Sequence, residues 1–172
     1  MEAAKLDAVN DVVDIVGLSK NNKIVLFVKV ETLEIEKNLA KEQGLSHLKA
    51  YWKIAQKNQV LVINNDLFAM LVDLENIEIF RYSISKNRPL LKRLSSFQTS
   101  DILSYYDAEF SNKRIFKLYM ETLIEAWLRD LAYHWKYEFP PASKGLADIG
   151  LLSQLEGGKT YSQVNIGADT LY

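Results

Sequence analysis

The sequence contains no cysteine, which excludes disulfide bonds, thiolate zinc sites and a cysteine nucleophile. This absence is compatible with a reducing compartment, and we expect a cytoplasmic protein. Glycine and proline are scarce, at 7 and 3 of the 172 residues, and no Gly-rich phosphate loop is predicted. The Gly157-Gly158 pair is interpreted as a turn, and no internal repeat or low-complexity tract is visible.

An excess of basic residues is also missing. Lysine and arginine together number 21 and aspartate and glutamate 22, which gives a net charge of −1 and a pI near 6.1. Because phosphate neutralisation supplies most nonspecific DNA affinity, this balance argues against a strong nonspecific DNA binder. It does not exclude a metal-dependent nuclease, since bound cations supply positive charge locally.

Long hydrophobic runs are absent as well. No segment is long and apolar enough to span a membrane, and residues 1–5 lack the features of a signal peptide, so no membrane association is expected. What is present is the mix of a globular protein, with 48% hydrophobic and 25% charged residues. The length predicts one domain, or one domain with a terminal appendage.

Hydrophobic periodicity predicts an α/β protein with a mixed sheet flanked by helices. The first two strands, at 11–17 and 24–32, are joined by a tight turn at 19–23 and form a hairpin. Further strands are predicted at 60–63, 67–72 and 77–82, with a turn at 64–66.

Helices are predicted between and after these strands. The first covers 34–57, is interrupted near Gly44, and crosses from the second strand to the third. Residues 83–99 are interpreted as a polar, basic loop. Ser100 is interpreted as the cap of a short helix through Tyr106. The longest helix is predicted at 113–137, ended by Pro140-Pro141.

Charged side chains fall on the first two predicted strands. Because side chains alternate between the faces of a strand, Phe27, Lys29 and Glu31 share one face of the second strand. In a hairpin, Asp14 of the first strand approaches Lys29 and Glu31. Two carboxylates with a lysine suit Mg²⁺ binding and phosphodiester hydrolysis. An inert, electrically satisfied ion network explains the same cluster, and charge geometry alone favours it.

The stretch from Asp14 to Glu31 resembles the core of the PD-(D/E)XK nuclease superfamily. It is similar to the N-terminal nuclease domain of type I restriction R subunits and to small stand-alone cyanobacterial relatives. In those proteins an Asp begins one strand, and the next strand ends in Glu-x-Lys. A helix then carries a polar residue ahead of a Tyr, which His47 and Tyr51 resemble here.

This resemblance covers about residues 10–135, including the long helix with its Trp127-Leu-Arg-Asp-Leu131 stretch. It implies a restriction-endonuclease-like core within a single domain at 1–172, with residues 140–172 as a C-terminal appendage. It also implies that Asp14 is a metal-binding acid, and that His47 and Tyr51 are possible contacts at the site. A lone helical histidine is more often a surface or packing residue.

The resemblance breaks at the catalytic pair. Lys29 stands where the second metal-binding acid belongs, and Glu31 stands where the lysine belongs. The Lys29 ammonium would occupy the place of a divalent cation, so we expect a degenerate, inactive nuclease fold that acts as a binding or interaction module without a cofactor. The alternative is an active Mg²⁺-dependent nuclease with Asp14 and Glu31 as metal ligands, completed by Glu2 or by a helix carboxylate. A second alternative is a structural or oligomerising protein without DNA or metal binding.

Partners are predicted only by class. DNA or a restriction-like protein partner is expected from the resemblance. The basic stretch at 86–93 is a candidate contact to nucleic acid or to a protein partner, although the charge balance favours a solvated loop. The Lys113-Arg114 pair is open to the same two interpretations. The aromatic stripe of the long helix, which includes Phe116, Trp127 and Trp135, is predicted to be core. Any exposed part of it would make a homodimer or partner surface.

Overall fold

The computed structural model describes residues 11–32, 37–58 and 63–167. The strands within these residues are β1 (Val12–Leu18), β2 (Ile24–Val30), β3 (Ile63–Val72), β4 (Asn76–Ser85), β5 (Arg88–Gln98) and β6 (Lys159–Asn165). The helices are α1 (Lys37–Asn58), α2 (Thr99–Leu103), α3 (Lys117–Tyr133), α4 (Ser143–Asp148) and α5 (Leu151–Leu155), with a 3-10 turn at Phe110–Asn112.

The six strands form one mixed sheet in the order β5-β4-β3-β2-β1-β6. β1 and β2 form an antiparallel hairpin, whose turn is closed by a 2.8 Å hydrogen bond from the Ser19 N–H to the Lys23 carbonyl. α1 carries the chain from β2 to β3, and these two strands pair in parallel. The remaining neighbours pair antiparallel. The predicted hairpin and the helical crossover are confirmed.

Helices cover both faces of the sheet because its central strands are apolar on both sides. On one face, Leu48 and Tyr51 of α1 pack in a core with Phe27 of β2. On the other face, α3 and the short helices pack around Trp127, together with Val28 of β2. The predicted α/β fold, a mixed sheet flanked by helices, is confirmed.

The loop predicted at 83–99 is wrong. β4 continues to Ser85 and β5 returns from Arg88, joined by Lys86 and Asn87 with φ values of 52° and 62°. Two consecutive left-handed residues form the tight hairpin turn that matches the twist of the flanking strands. The polar and charged residues that suggested a loop belong largely to the exposed side of an edge strand.

The turn predicted at 64–66 is also wrong, since these residues belong to β3. Between the pairs Ile24–Ile63 and Leu26–Phe68 the register of β3 shifts against β2, so β3 contains extra residues there. An irregularity of this kind accommodates turn-forming residues within a strand. Of the strand predicted at 60–63, only Ile63 is described; residues 60–62 lie outside the described part of the chain.

Helix α1 is not interrupted at Gly44, in contrast to the prediction. A Cβ atom built on Gly44 would lie 2.5 Å from Cδ1 of Leu71 in β3. The glycine therefore permits a close approach of helix and sheet, and its cost to helix propensity is outweighed by this packing.

The limits of the later helices differ from the predictions. α3 begins at Lys117 instead of 113 and ends at Tyr133, before the Pro140-Pro141 pair. His134 ends it in the left-handed conformation, with φ of 53° and an N–H bond to the Asp130 carbonyl. Ser100 lies inside α2, where Gln98 takes the cap position without a side-chain hydrogen bond.

The segment predicted as a C-terminal appendage contributes to the same sheet and core. β6 pairs with β1 from Val12–Asn165 to Leu18–Lys159. Leu146, Leu151 and Leu155 of α4 and α5 are buried in the core on the α3 side. β1 therefore has a strand on each side, and its polar side chains are withdrawn from solvent.

The predicted Gly157-Gly158 turn precedes β6, with Gly157 at φ of 72°. Lys159 and Thr160 follow it and begin a strand. A phosphate-binding loop would continue into a helix at this point, so the turn does not have that role.

Candidate functional site

The β1–β2 hairpin places Asp14 beside Lys29. The register pairs Ile15 with Val28 and Val16 with Phe27, which sets Asp14 opposite Lys29 on the same face. Asp14 is 4% exposed, and the Lys29 Nζ lies 3.8 Å from its Oδ2. The approach of these two side chains that the strand alternation predicted is present in the structure.

The carboxylate of Asp14 also closes the open end of the hairpin. The β1–β2 ladder ends at the Ile15–Val28 pair. Two residues further along β2, the Val30 N–H donates to Asp14 Oδ2 at 2.7 Å, so the side chain takes the place of a backbone acceptor. A buried backbone donor requires such a partner, which gives Asp14 a structural role in addition to its charge.

A second lysine, from α3, makes the shorter contact to Asp14. The Lys117 Nζ lies 2.9 Å from Asp14 Oδ1, and its side chain is 40% exposed. The two oxygens of Asp14 therefore accept from the Val30 N–H and from Lys117, while Lys29 adds a second positive charge at longer range. The carboxylate is fully engaged by the protein itself.

A second buried carboxylate lies on the other side of Lys117. Glu121, one helical turn further along α3, is 3% exposed, and its Oε2 lies 3.8 Å from the Lys117 Nζ. Its Oε1 accepts from the Gln163 side chain at 2.6 Å, whereas Oε2 has no hydrogen-bond donor among the described residues. Burial and the negative charge of Asp14 raise the pKa of Glu121. The site is therefore short of donors on its Glu121 side.

Tyr51 of α1 belongs to the same site. Its side chain is 2% exposed, and its pKa is raised by burial and by the charges of Asp14 and Glu121. The phenol is therefore protonated at any physiological pH. The role of Tyr51 as a contact at the site, which the resemblance implied, stays a prediction.

Glu31 and His47 lie on the two elements that flank Lys29 and Tyr51, the end of β2 and helix α1. Glu31 follows β2, its N–H donates to the Val72 carbonyl at 2.8 Å, and its side chain is half-buried. His47 is half-buried on α1, one turn before Tyr51. Glu2, the other suggested ligand, lies outside the described residues.

The donor set of this site does not fit a divalent cation as it stands. Asp14 and Glu121 offer the carboxylate oxygens that Mg²⁺ prefers, but the Lys117 ammonium lies between them. Within the part of the chain that the structure describes, no three His, Cys, Asp or Glu side chains are grouped to hold one metal ion. The arrangement is that of an ion network with its cations supplied by lysines.

Lys117 and Glu121 were missed by the sequence analysis. They form a lysine–glutamate pair four residues apart, which usually lies on a solvated helix surface. The available signal was that Glu121 directly follows Met120 and precedes Leu123 and Ile124 in the apolar stripe of α3. A glutamate in that position requires a partner inside the protein.

A cleft of about 910 Å³ lies beyond the end of β2. Thr32, just beyond β2, forms part of its wall, as do the β3–β4 turn and the segment that leads into α3. Lys113 and Arg114 provide its cations and Glu75 its carboxylate. Lys113 forms an ion pair with Asp107 at 2.6 Å. Among the described residues, Arg114 contacts only the exposed Phe116 ring, whose centre lies 5.1 Å from the guanidinium, so Arg114 is the cleft cation without an ion-pair partner.

The basic stretch at 86–93 is not a mobile loop that could wrap a ligand, because it forms the β4–β5 hairpin. Arg93 contacts Glu78 at 3.2 Å, and Lys41 of α1 contacts the same carboxylate at 3.1 Å. This triad fastens α1 to β4 and β5, so part of the basic charge has a structural use.

Comparison of the chain with models of known protein families, with curated proteins and with solved structures gives no match in any of the three. Across the described residues, no helix combines the length and the hydropathy needed to cross a membrane.

Proposed function

We propose that this chain is a binding module with a degenerate PD-(D/E)XK nuclease-like core that does not cleave nucleic acid. The observation that carries the proposal is that groups of the protein itself already bind both carboxylate oxygens of Asp14. Its carboxylate accepts from the Val30 N–H at 2.7 Å and from Lys117 at 2.9 Å, with Lys29 at 3.8 Å. The residue that would bind the first metal ion in an active relative is already neutralised.

Electrostatics support the inactive state. A divalent cation at Asp14 would approach the two ammonium groups of Lys29 and Lys117, and like charges at this range repel strongly in a partly buried site. Magnesium also needs near-ideal oxygen ligation, which the engaged carboxylate of Asp14 and the partly engaged carboxylate of Glu121 do not supply. Both lysines would have to leave before such an ion could bind.

The cleft beyond the end of β2 supports a binding role. Its lining mixes polar and apolar side chains, it is open to solvent and close to the end of β2, and Arg114 is its most available cation. The cleft contains two cations, Lys113 and Arg114, and the chain has a net charge of −1, so the cleft would neutralise only one or two phosphates. The expected interaction with DNA is therefore weak and has a shallow salt dependence, with a slope of about −1 to −2 for duplex DNA.

The test of inactivity is a plasmid-cleavage assay of the purified chain with Mg²⁺ and then Mn²⁺, beside the Asp14→Ala variant. We expect no cleavage above background from either protein. Metal-dependent cleavage that disappears in Asp14→Ala would overturn the proposal in favour of an active nuclease. Repeating the assay with Glu31→Gln and Glu121→Gln would then identify the second metal-binding acid.

The test of binding is a DNA titration at several salt concentrations with Arg114→Gln, and with Lys144→Gln as a matched charge control. Lys144 is 93% exposed and does not line the cleft. We expect Arg114→Gln to weaken binding and to reduce the salt slope by about 1, whereas Lys144→Gln leaves both unchanged. Equal effects of the two variants would exclude the cleft as the DNA surface.

A further inference from the structure

An aromatic cluster lies at the opposite end of α3 from the Asp14 site. Tyr105 and Tyr106 follow α2, and Trp135 and Tyr137 follow α3. The rings of Tyr105 and Tyr137 lie 5.4 Å apart at 88°, and those of Tyr106 and Tyr137 lie 6.0 Å apart at 80°. Trp135 extends the cluster, with its ring 6.2 Å from that of Tyr106. Rings set nearly at right angles form a corner with two π faces.

This corner already contains an ammonium group from the chain itself. The Lys136 Nζ lies 5.6 Å from the centre of the Tyr106 ring and 5.5 Å from that of Tyr137. The same nitrogen donates to the Tyr105 carbonyl at 3.2 Å. Both ring distances are within the range of cation–π attraction, which weakens as solvent exposure grows. The exposed Lys136 is therefore held only loosely.

A buried carboxylate behind the rings gives the cluster a negative charge. Asp130 is 0% exposed and accepts from the Tyr106 hydroxyl at 2.6 Å. It also accepts from the backbone N–H groups of Lys136 and Tyr137, at 2.9 and 3.2 Å. These donors are neutral, and among the described residues no lysine or arginine forms an ion pair with Asp130. Without the Lys136 ammonium the cluster has a charge of −1.

We propose that this aromatic cluster is a binding site for a quaternary ammonium group, with Lys136 as its internal occupant. Two π faces, one carbonyl and an uncompensated buried carboxylate together select a cation over a neutral group. A methylated ammonium needs no hydrogen bonds and is weakly hydrated, so it fits this surface better than the primary ammonium of lysine. Tyr105 and Trp135 are 50% and 55% exposed, which leaves the corner open to solvent.

Space for the rest of a ligand adjoins the corner. Tyr105 also lines a hollow of about 410 Å³ together with Asp101 and Gln98. A quaternary ammonium attached to a short polar chain would fit with its head on the rings and its chain in this hollow. The proposal is independent of the role suggested for the Asp14 site, since the two sites share no residue.

The experiment is a titration of the full chain with choline, followed by ¹H–¹⁵N NMR. The Trp135 indole signal, assigned by Trp135→Phe, reports on the cluster. 3,3-Dimethylbutan-1-ol, the neutral isostere of choline, and sodium chloride at equal ionic strength are the ligand controls. We expect saturable, millimolar choline binding that moves the Trp135 signal, and no saturable response to either control.

Lys136→Gln should bind choline about threefold to tenfold more tightly than the wild type, because the competing internal cation is gone. Lys144→Gln is the matched control and should leave the affinity unchanged. Tyr137→Leu, checked for folding by circular dichroism, should lose binding. The proposal is overturned if neither the wild type nor Lys136→Gln shows saturable binding, if the neutral isostere binds equally well, or if Tyr137→Leu retains full affinity.

Discussion

Two buried carboxylates, one near each end of α3, are stabilised in opposite ways. Near the C-terminal end, the donors to Asp130 among the described residues are all neutral: a tyrosine hydroxyl and two backbone N–H groups. Near the N-terminal end, Asp14 accepts from one backbone N–H and from the Lys117 ammonium, with Lys29 nearby. The first site is assembled largely by the chain next to it, and the second by three separate elements.

This difference indicates that the Asp130 site has a fixed structural role, whereas the charge balance of the Asp14 site can change. Each oxygen of Asp130 has a donor, and those donors hold the chain that leaves α3. At the other end Glu121 keeps an oxygen without a donor beside Asp14, and one lysine serves both carboxylates. Buried polar groups that are only partly satisfied are strongly coupled to their neighbours and to pH. The stability contributed by the Asp14 site is therefore expected to depend on salt and pH, whereas the stability contributed by the Asp130 site is not.

The largest effect is expected from Asp130→Ala. Removing this carboxylate leaves the Tyr106 hydroxyl and the N–H groups of Lys136 and Tyr137 without their acceptor, at a cost of about 3–5 kcal/mol in the free energy of unfolding. Urea denaturation measures this cost, with Asp101→Ala, an exposed aspartate on α2, as the control. A loss below about 1 kcal/mol would contradict the structural role of Asp130.

Asp14→Ala should destabilise the protein by a smaller amount, about 2–4 kcal/mol. It leaves the Val30 N–H unsatisfied, but the lysines can turn toward water, since Lys117 is already 40% exposed. Because part of this loss is ionic, we expect it to shrink between low and high salt, whereas the Asp130→Ala loss stays constant. Urea unfolding of both variants at two salt concentrations provides the measurement. An equal salt dependence would remove the distinction between the two sites.

Lys117→Met should cost about 1–2 kcal/mol at neutral pH, because it leaves Asp14 and Glu121 to repel each other. Adding Glu121→Gln should restore much of the loss by removing one of the two charges. The four stabilities, wild type, both single variants and the double variant, form a double-mutant cycle. Additive effects would show that Lys117 does not couple the two carboxylates.

The smallest effect is expected from Glu121→Gln alone, and pH reveals its sign. Burial and the charge of Asp14 raise the pKa of Glu121 above that of a glutamate in the unfolded chain, so the folded protein holds this proton more tightly. Ionisation of Glu121 therefore lowers the free energy of unfolding as the pH rises from the unfolded-state pKa through the folded-state pKa. Below the unfolded-state pKa the carboxyl is protonated in both states and has no such effect. Glu121→Gln should flatten the stability profile above pH 4 and raise the stability at pH 7. An unchanged profile would show that the Glu121 carboxylate is compensated by Lys117.

The sequence predicted the parts of the fold that depend on local pattern. The β1–β2 hairpin, the α1 crossover and the alternation that puts Phe27 and Lys29 on one face all follow from short stretches of chain. β5 was missed because an edge strand keeps polar residues on its exposed side, and β6 because its pairing with β1 joins residues far apart in sequence. Local patterns contain no information on such pairings.

The candidate site also contains one part that local sequence patterns predict and one part that they do not. Asp14 and Lys29 could be paired in advance, because a hairpin register and side-chain alternation decide which residues face each other. The resemblance of Lys29-Val30-Glu31 to a nuclease motif stays a prediction. Lys117 could not be assigned to Asp14, since 103 residues separate them and α3 is a continuous amphipathic helix with many other possible orientations.

The sequence by itself determined the β1–β2 hairpin and the pairing of Asp14 with Lys29 on one of its faces. Strand alternation acts over a few residues, so it needs no knowledge of the rest of the chain. Only the tertiary structure decided that α3 brings Lys117 to the carboxylate at 2.9 Å and Glu121 beside it. Helix packing against the far side of a sheet depends on the shape of the whole core, and it is this packing that neutralises Asp14.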